Sequence, residues 1–241
     1  MKVLNYIKLD IKNILRDPIM LSMASVVPLL FAVALFWLLP FGLRSFVWLR
    51  PWEAQIVTFC VMQIGILMGA VTAFMILDDR DESSLQALMA TPLSQRRYLV
   101  FRLGIPVVYT FVLSLVLLLI AKSNLSSIEI IGTSVLNSLL VPLFSLSVTS
   151  LASNKVEGLT WVKGINLIAF LPVASFFIES GWRKILGIIP TYWIYHYNAI
   201  AAQLKSQQPE GAWAPFIYFL ISFVFLVVCN MVLTVLFSKK I

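Results

Sequence analysis

The sequence predicts an all-α integral membrane protein with six transmembrane helices. Two observations carry this. Of 241 residues, 60% are apolar and only 12% are charged, with a mean hydropathy of +0.94; a soluble domain of this size needs more charge to cover its surface. Several apolar runs also reach the length of about 20 residues that a helix needs to cross a bilayer. Lipid offers the backbone no hydrogen bonds, so each run must pair its own groups as a helix. A β-barrel would need short alternating strands, and runs such as Val107–Ala121 do not alternate.

Met1–Asp17 reads as an amphipathic helix on the membrane surface. Val3, Ile7, Ile11 and Ile14 share one helical face, while Lys2, Lys8, Lys12 and Arg16 mostly lie elsewhere. The first apolar run is too long for a signal-peptide core, and no small-residue cleavage site follows it. Six spans are expected over Met20–Leu39, Gln55–Leu77, Arg102–Ala121, Ile128–Leu151, Leu159–Ile178 and Ala214–Phe237. Trp37, Trp48 and Trp52 flank the first outer loop, and Trp182, Trp193 and Trp213 the last, as rings with one apolar and one polar part do at interfaces.

Charge sets the orientation. With both termini in the cytoplasm, the inner side holds 12 basic residues and the outer side 6. Basic residues favour the inside, and the net charge of +7 is then a matter of topology and of contact with anionic lipid. No soluble basic domain exists to bind nucleic acid. Ile185–Leu204 is nearly long enough to be a seventh span, which would change the split to 11 and 7. Pro190 interrupts it, and Tyr192, Trp193, Tyr195, His196, Tyr197 and Asn198 crowd its middle. Residues 180–205 are therefore expected to form an outer re-entrant or interfacial hairpin before the last span.

Gly65, Gly69 and Ala73 form a ridge of small residues on the second span, suited to helix packing within the chain or to a dimer seam. Cys60 and Cys229 both sit in apolar runs and read as small core residues rather than a disulfide or metal pair. His196 is the only histidine, so a metal site built on several histidines is excluded, and no G-x-S-x-G turn accompanies it. Glu129, Glu157 and Glu179 fall at span ends, which leaves no acidic pair deep in a span for ion coupling. The chain carries no G-x-x-x-x-G-K-[ST] loop to cradle phosphates, so no metal or cofactor is assigned to it.

The loop between the second and third spans is the most informative segment. Ser83 and Gln86 have capping-box spacing, Asp81 and Glu82 complement a helix N-terminus, and Leu85, Leu88 and Met89 make an apolar face. Pro92 ends the helix, and Arg96 and Arg97 precede the return to the membrane. The run Asp81-Glu82-Ser83-Ser84-Leu85-Gln86-Ala87-Leu88-Met89-Ala90-Thr91-Pro92-Leu93-Ser94 resembles the membrane subunits of ABC-2 type transporters. Ser83-Ser84 stands where that family often has Gly-Thr. The layout of interfacial helix, six spans and outer hairpin is similar across essentially the whole chain.

The resemblance implies a permease without its own ATPase site. Asp81, Glu82, Leu85, Leu88, Pro92, Arg96 and Arg97 would belong to a coupling-helix region, residues 81–97, docked on a separate ATP-binding subunit that carries ATP and magnesium. A second copy or a paralogous permease would complete the unit in a bacterial plasma membrane. The resemblance further implies that the second and fifth spans line the cargo cavity, with Phe59, Gln63, Asn166, Phe170 and Phe177 as candidates. No mid-membrane charge selects an ionic cargo, so a hydrophobic or amphipathic one is expected: a drug-like compound, a peptide or a lipid-linked molecule. A non-transporting immunity or scaffold subunit, and a secondary transporter or channel, are the competing classes.

Overall fold

The computed structural model describes residues 12–81, 95–121, 125–176, 181–204 and 213–240. Six of its helical segments are long and apolar enough to cross a membrane. A short helix, α1, occupies residues 12–16; the rest of the expected interfacial helix lies outside the described residues. Asp17 then starts α2, which runs from Pro18 to Ser45 and so extends beyond both ends of the expected span. Asp17 Oδ1 accepts from the Ile19 and Met20 N–H groups at 2.8 and 3.2 Å, and proline at the first position has no N–H to leave unpaired. Ser22–Val26 and Ala34–Leu38 are wider π turns. Each lies just before a proline, Pro28 or Pro40, and widening there separates the ring from the carbonyl one turn back.

A 3-10 turn over Val47–Trp52 leads into α3, Glu53–Asp81, the most deeply buried helix of the bundle. The next helix, α4, covers Gln95–Ile120 and begins nearly two turns before the expected Arg102. The fourth span is divided into α5, Ser127–Ser138, and α6, Leu140–Leu151. The division follows from Pro142, which has no N–H for the Ser138 carbonyl. Asn230 Nδ2 donates to Leu139 O at the break, at 3.1 Å.

Helix α7 runs from Lys155 to Phe170, short of the expected Ile178. Pro172 disfavours continuing the α-helix, and the chain tightens into a 3-10 turn over Leu171–Phe176. A second 3-10 turn, Gly181–Ile188, precedes α8, Pro190–Leu204, and the last span is α9, Ala214–Lys240. At 15 residues, α8 is about 22 Å long and too short to cross a bilayer.

Helix α8 packs into the bundle. Ile194, Tyr195 and Tyr197 are buried in one core cluster with Met62 and Ile66 of α3 and Leu136 of α5. Thr191 Oγ1 donates to Ala169 O at 2.9 Å, and Thr133 Oγ1 donates to Asn198 Oδ1 at 2.6 Å. These bonds give the polar groups partners inside the bundle, which the sequence pattern alone does not show. His196 is stacked on Tyr192 and meets Tyr218 edge-on.

Candidate functional site

Two sets of residues stand out, one on the open side of α3 and one at its foot. The first is the seam between α3 and α7. Phe59 and Phe170 meet edge to face, with ring centroids 5.3 Å apart. One turn nearer the charged end stand Gln63 on α3 and Asn166 on α7, both half-buried. Phe170 is 46% exposed, and Val156, Leu167 and Ile168 also leave the outward side of α7 uncovered. Phe177 lies outside the described residues.

The other side of α3 is closed. A methyl group placed at Gly65 would lie 2.6 Å from Asn137 O, and one at Gly69 would lie 2.6 Å from Phe144 Cβ. Only hydrogen fits between these backbones, as small-residue ridges allow. Ala73 is fully buried. Asn137 Nδ2 donates to Val61 O at 2.8 Å and to Ser114 Oγ at 2.6 Å, so one amide joins the second, third and fourth spans.

At its foot, α3 ends in Asp78-Asp79-Arg80-Asp81, and these side chains hold three different parts of the chain. Asp79 Oδ2 accepts from Tyr98 at 2.6 Å and pairs with Arg102 at 2.7 Å, both on α4; Arg102 also donates to Met75 O at 3.0 Å. The Arg102 and Asp79 side chains are only 11% and 21% exposed. Arg80 donates to Thr149 O and Ala152 O at 3.3 and 3.1 Å, which fastens the turn between α6 and α7. Lys155 Nζ is shared between Asp78 and Asp17 at 2.8 Å each, while the Lys155 N–H donates to Asp81 at 3.2 Å. Partial burial pushes the Asp17 carboxyl up. Hydrogen bonds from Lys155, Met20 and Ile19, with the lysine charge, outweigh that and hold it below its ordinary value.

Magnitudes separate these contacts. The Lys155 ammonium is 28% exposed, and a pair open to water to that degree contributes on the order of 0.2–1 kcal/mol. It orients its partners without dominating stability. The Asp79–Arg102–Tyr98 group is drier and ties the two stems of the loop together. The loop itself, with Glu82, Leu85, Leu88 and Pro92, lies outside the described residues. Asp81 ends α3, and Arg96 and Arg97 fall in the first turn of α4.

Residues 10–234 match the profile of a family described as "Fluoroquinolones export permease protein Rv2686c-like". The chain belongs to this family of export permeases. Two curated relatives carry the corresponding names. The fluoroquinolones export permease proteins MT2760 and Rv2686c, from the CDC 1551 / Oshkosh and H37Rv strains of Mycobacterium tuberculosis, are each 27% identical to it over 219 residues. That alignment covers 86% of this chain and 83% of each relative. The family is consistent with the ABC-2 type resemblance read from the loop.

For this export permease, sequence reasoning overlooked most of the charged foot. Asp17, Asp78 and Asp79 carry no role in the sequence pattern, and Arg80, Arg102 and Lys155 enter it only among the 12 inner basic residues. One signal was available. Asn154 caps α7 through its bond to the Glu157 N–H at 2.9 Å, which places Lys155 at the first helical position. A cation there opposes the helix dipole, so nearby acids are needed to hold it.

Proposed function

We propose that this permease is the membrane subunit of an ATP-driven exporter whose cargo is an amphipathic aromatic compound of the fluoroquinolone type. The family match over residues 10–234 carries the reading, and the named activity of the two relatives supplies the cargo class. A separate ATP-binding subunit would grip the coupling-helix region, residues 81–97. ATP and magnesium belong to that subunit, and this chain supplies no ATPase residue and binds no cofactor. The charged foot would face the cytoplasm of a bacterium, with both termini inside.

The open α3–α7 seam fits such a cargo. A planar aromatic ring can pack on the Phe59–Phe170 pair, as offset and edge-to-face ring contacts are favourable. Gln63 and Asn166 would offer hydrogen bonds without imposing a net charge. A second permease, identical or paralogous, would cover the exposed side of α7 and close the cavity within surrounding membrane lipid. Nucleotide then drives export only to the extent that it binds one of the two access states better than the other.

Purification of the chain from its native membrane tests the reading, followed by reconstitution into vesicles. A stoichiometric ATP-binding subunit should accompany it, ATP should drive movement of a fluorescent fluoroquinolone, and Leu88→Asp should release that subunit while membrane insertion is kept. Isolation of the chain alone, even after cross-linking, would turn the assignment to a channel, a secondary transporter or an immunity subunit.

A further inference from the structure

The charged foot contains one residue that joins three parts of the fold, α2, α3 and its own helix α7. Lys155 Nζ binds Asp17 at the start of α2 and Asp78 on the last turn of α3, and its N–H binds Asp81, the final residue of α3. Asp81 is also the first residue of the region expected to dock the ATP-binding subunit. Asp17 is held from its other oxygen by two N–H groups of α2, and Arg80 fixes the turn that precedes Lys155. The ammonium is thus surrounded by groups that are themselves anchored.

Lys155 is also the first residue of the helix that ends at Phe170. A helix of 16 residues is a stiff rod of about 24 Å. One end of α7 is fixed to the loop stem, and the other carries the ring that meets Phe59. A displacement of the stem would therefore reach the open seam through α7, whose Val162 and Ile165 pack on α3 and α6 along the way.

We infer that Lys155 is a positioning residue that transmits displacement of the Asp78–Asp81 stem of α3 to α7 and to the start of α2, and so couples ATP turnover to cargo movement. This rests on the ATP-driven reading above. It assigns the coupling to an ion-paired lysine on the turn between the fourth and fifth spans, outside the expected coupling helix.

The test uses the purified complex with its ATP-binding subunit in vesicles. ATP hydrolysis and ATP-driven movement of a fluorescent fluoroquinolone are measured in parallel. Lys155→Met should keep complex formation and basal hydrolysis, while cargo moved per ATP falls on the order of fivefold or more, within the usual range of coupling between sites. Lys155→Arg should restore most of the loss. Asp17→Asn, which leaves the lysine and Asp78 in place, should give a smaller loss of the same kind and serves if Lys155→Met fails to assemble. Unchanged cargo per ATP in Lys155→Met, or in Asp17→Asn where that is the variant measured, would overturn the inference while the exporter reading stands. So would equal defects in Lys155→Met and Lys155→Arg. If the unsubstituted complex moves no cargo with ATP, the exporter reading fails and the inference falls with it.

Discussion

Helix α3 meets two of its neighbours, the fourth span and α7, in opposite ways. Toward the fourth span, Gly65 and Gly69 bring backbones so close that no added carbon fits, and the Asn137 amide crosses to two further spans. Toward α7, large side chains meet through an edge-to-face ring pair, with Phe170 half in the open. Lipid supplies little hydrophobic drive between helices, so association there depends on close packing and hydrogen bonds. The first seam has both and is built to stay closed. The second has a ring contact and an uncovered outer side, which leaves room for a ligand or a partner. One helix thus has a tightly closed side and a partly exposed one, and its charged foot joins the elements on both.

The closed seam can be broken most severely. Gly65→Val should cost about 3 kcal/mol or more, because its first carbon would overlap the Asn137 backbone oxygen and its branches would add to the overpacking. Thermal unfolding followed by size-exclusion chromatography in detergent would show early loss of the folded peak. A variant with unaltered unfolding temperature would mean that the fourth span moves aside freely, and the contrast between the two seams would be lost.

At the foot, Arg102→Met should have the next largest effect. It leaves Asp79 without its cation in a site that is largely dry, and Met75 O loses its donor. Residual exposure reduces the penalty below that of a fully buried pair, to about 2 kcal/mol. The double variant with Asp79→Asn should recover part of this loss, since the unpaired charge is then gone. A double variant no more stable than Arg102→Met would assign the effect to lost packing rather than to the ion pair.

The spans were legible in the sequence because length and continuous apolarity are enough to define them. Their ends were less so. Helix α4 starts at Gln95 because its first turns stand at the charged foot, where basic and polar residues are at home. The depth of α8 was hidden for a different reason. Tyr192, Tyr195, Tyr197 and Asn198 have the composition of an interface, and only the folded chain shows Asn198 on Thr133 and Tyr197 against Gly132. The charged foot depends on pairs such as Asp17 with Lys155, 138 positions apart, and no local pattern predicts such a pairing. The phenylalanines of the open seam were reached through family resemblance, and their meeting is a property of how α3 and α7 cross.

The open seam should show the smallest change in stability and the most selective change in function. Phe170→Ala removes a ring that is 46% exposed, so little buried area is lost and the fold should weaken by about 1 kcal/mol or less. Basal ATP hydrolysis by the proposed complex should stay near its original rate, because the ring lies at the opposite end of α7 from the charged foot. Stimulation of hydrolysis by a fluoroquinolone should fall several-fold, since the ring contact with the aromatic cargo is lost. Rescue by Phe170→Tyr would place the effect in the aromatic ring itself. Equal losses of basal and stimulated hydrolysis would instead make Phe170 a packing residue, and the open seam would then be a resting place for lipid or a partner helix rather than a path for cargo.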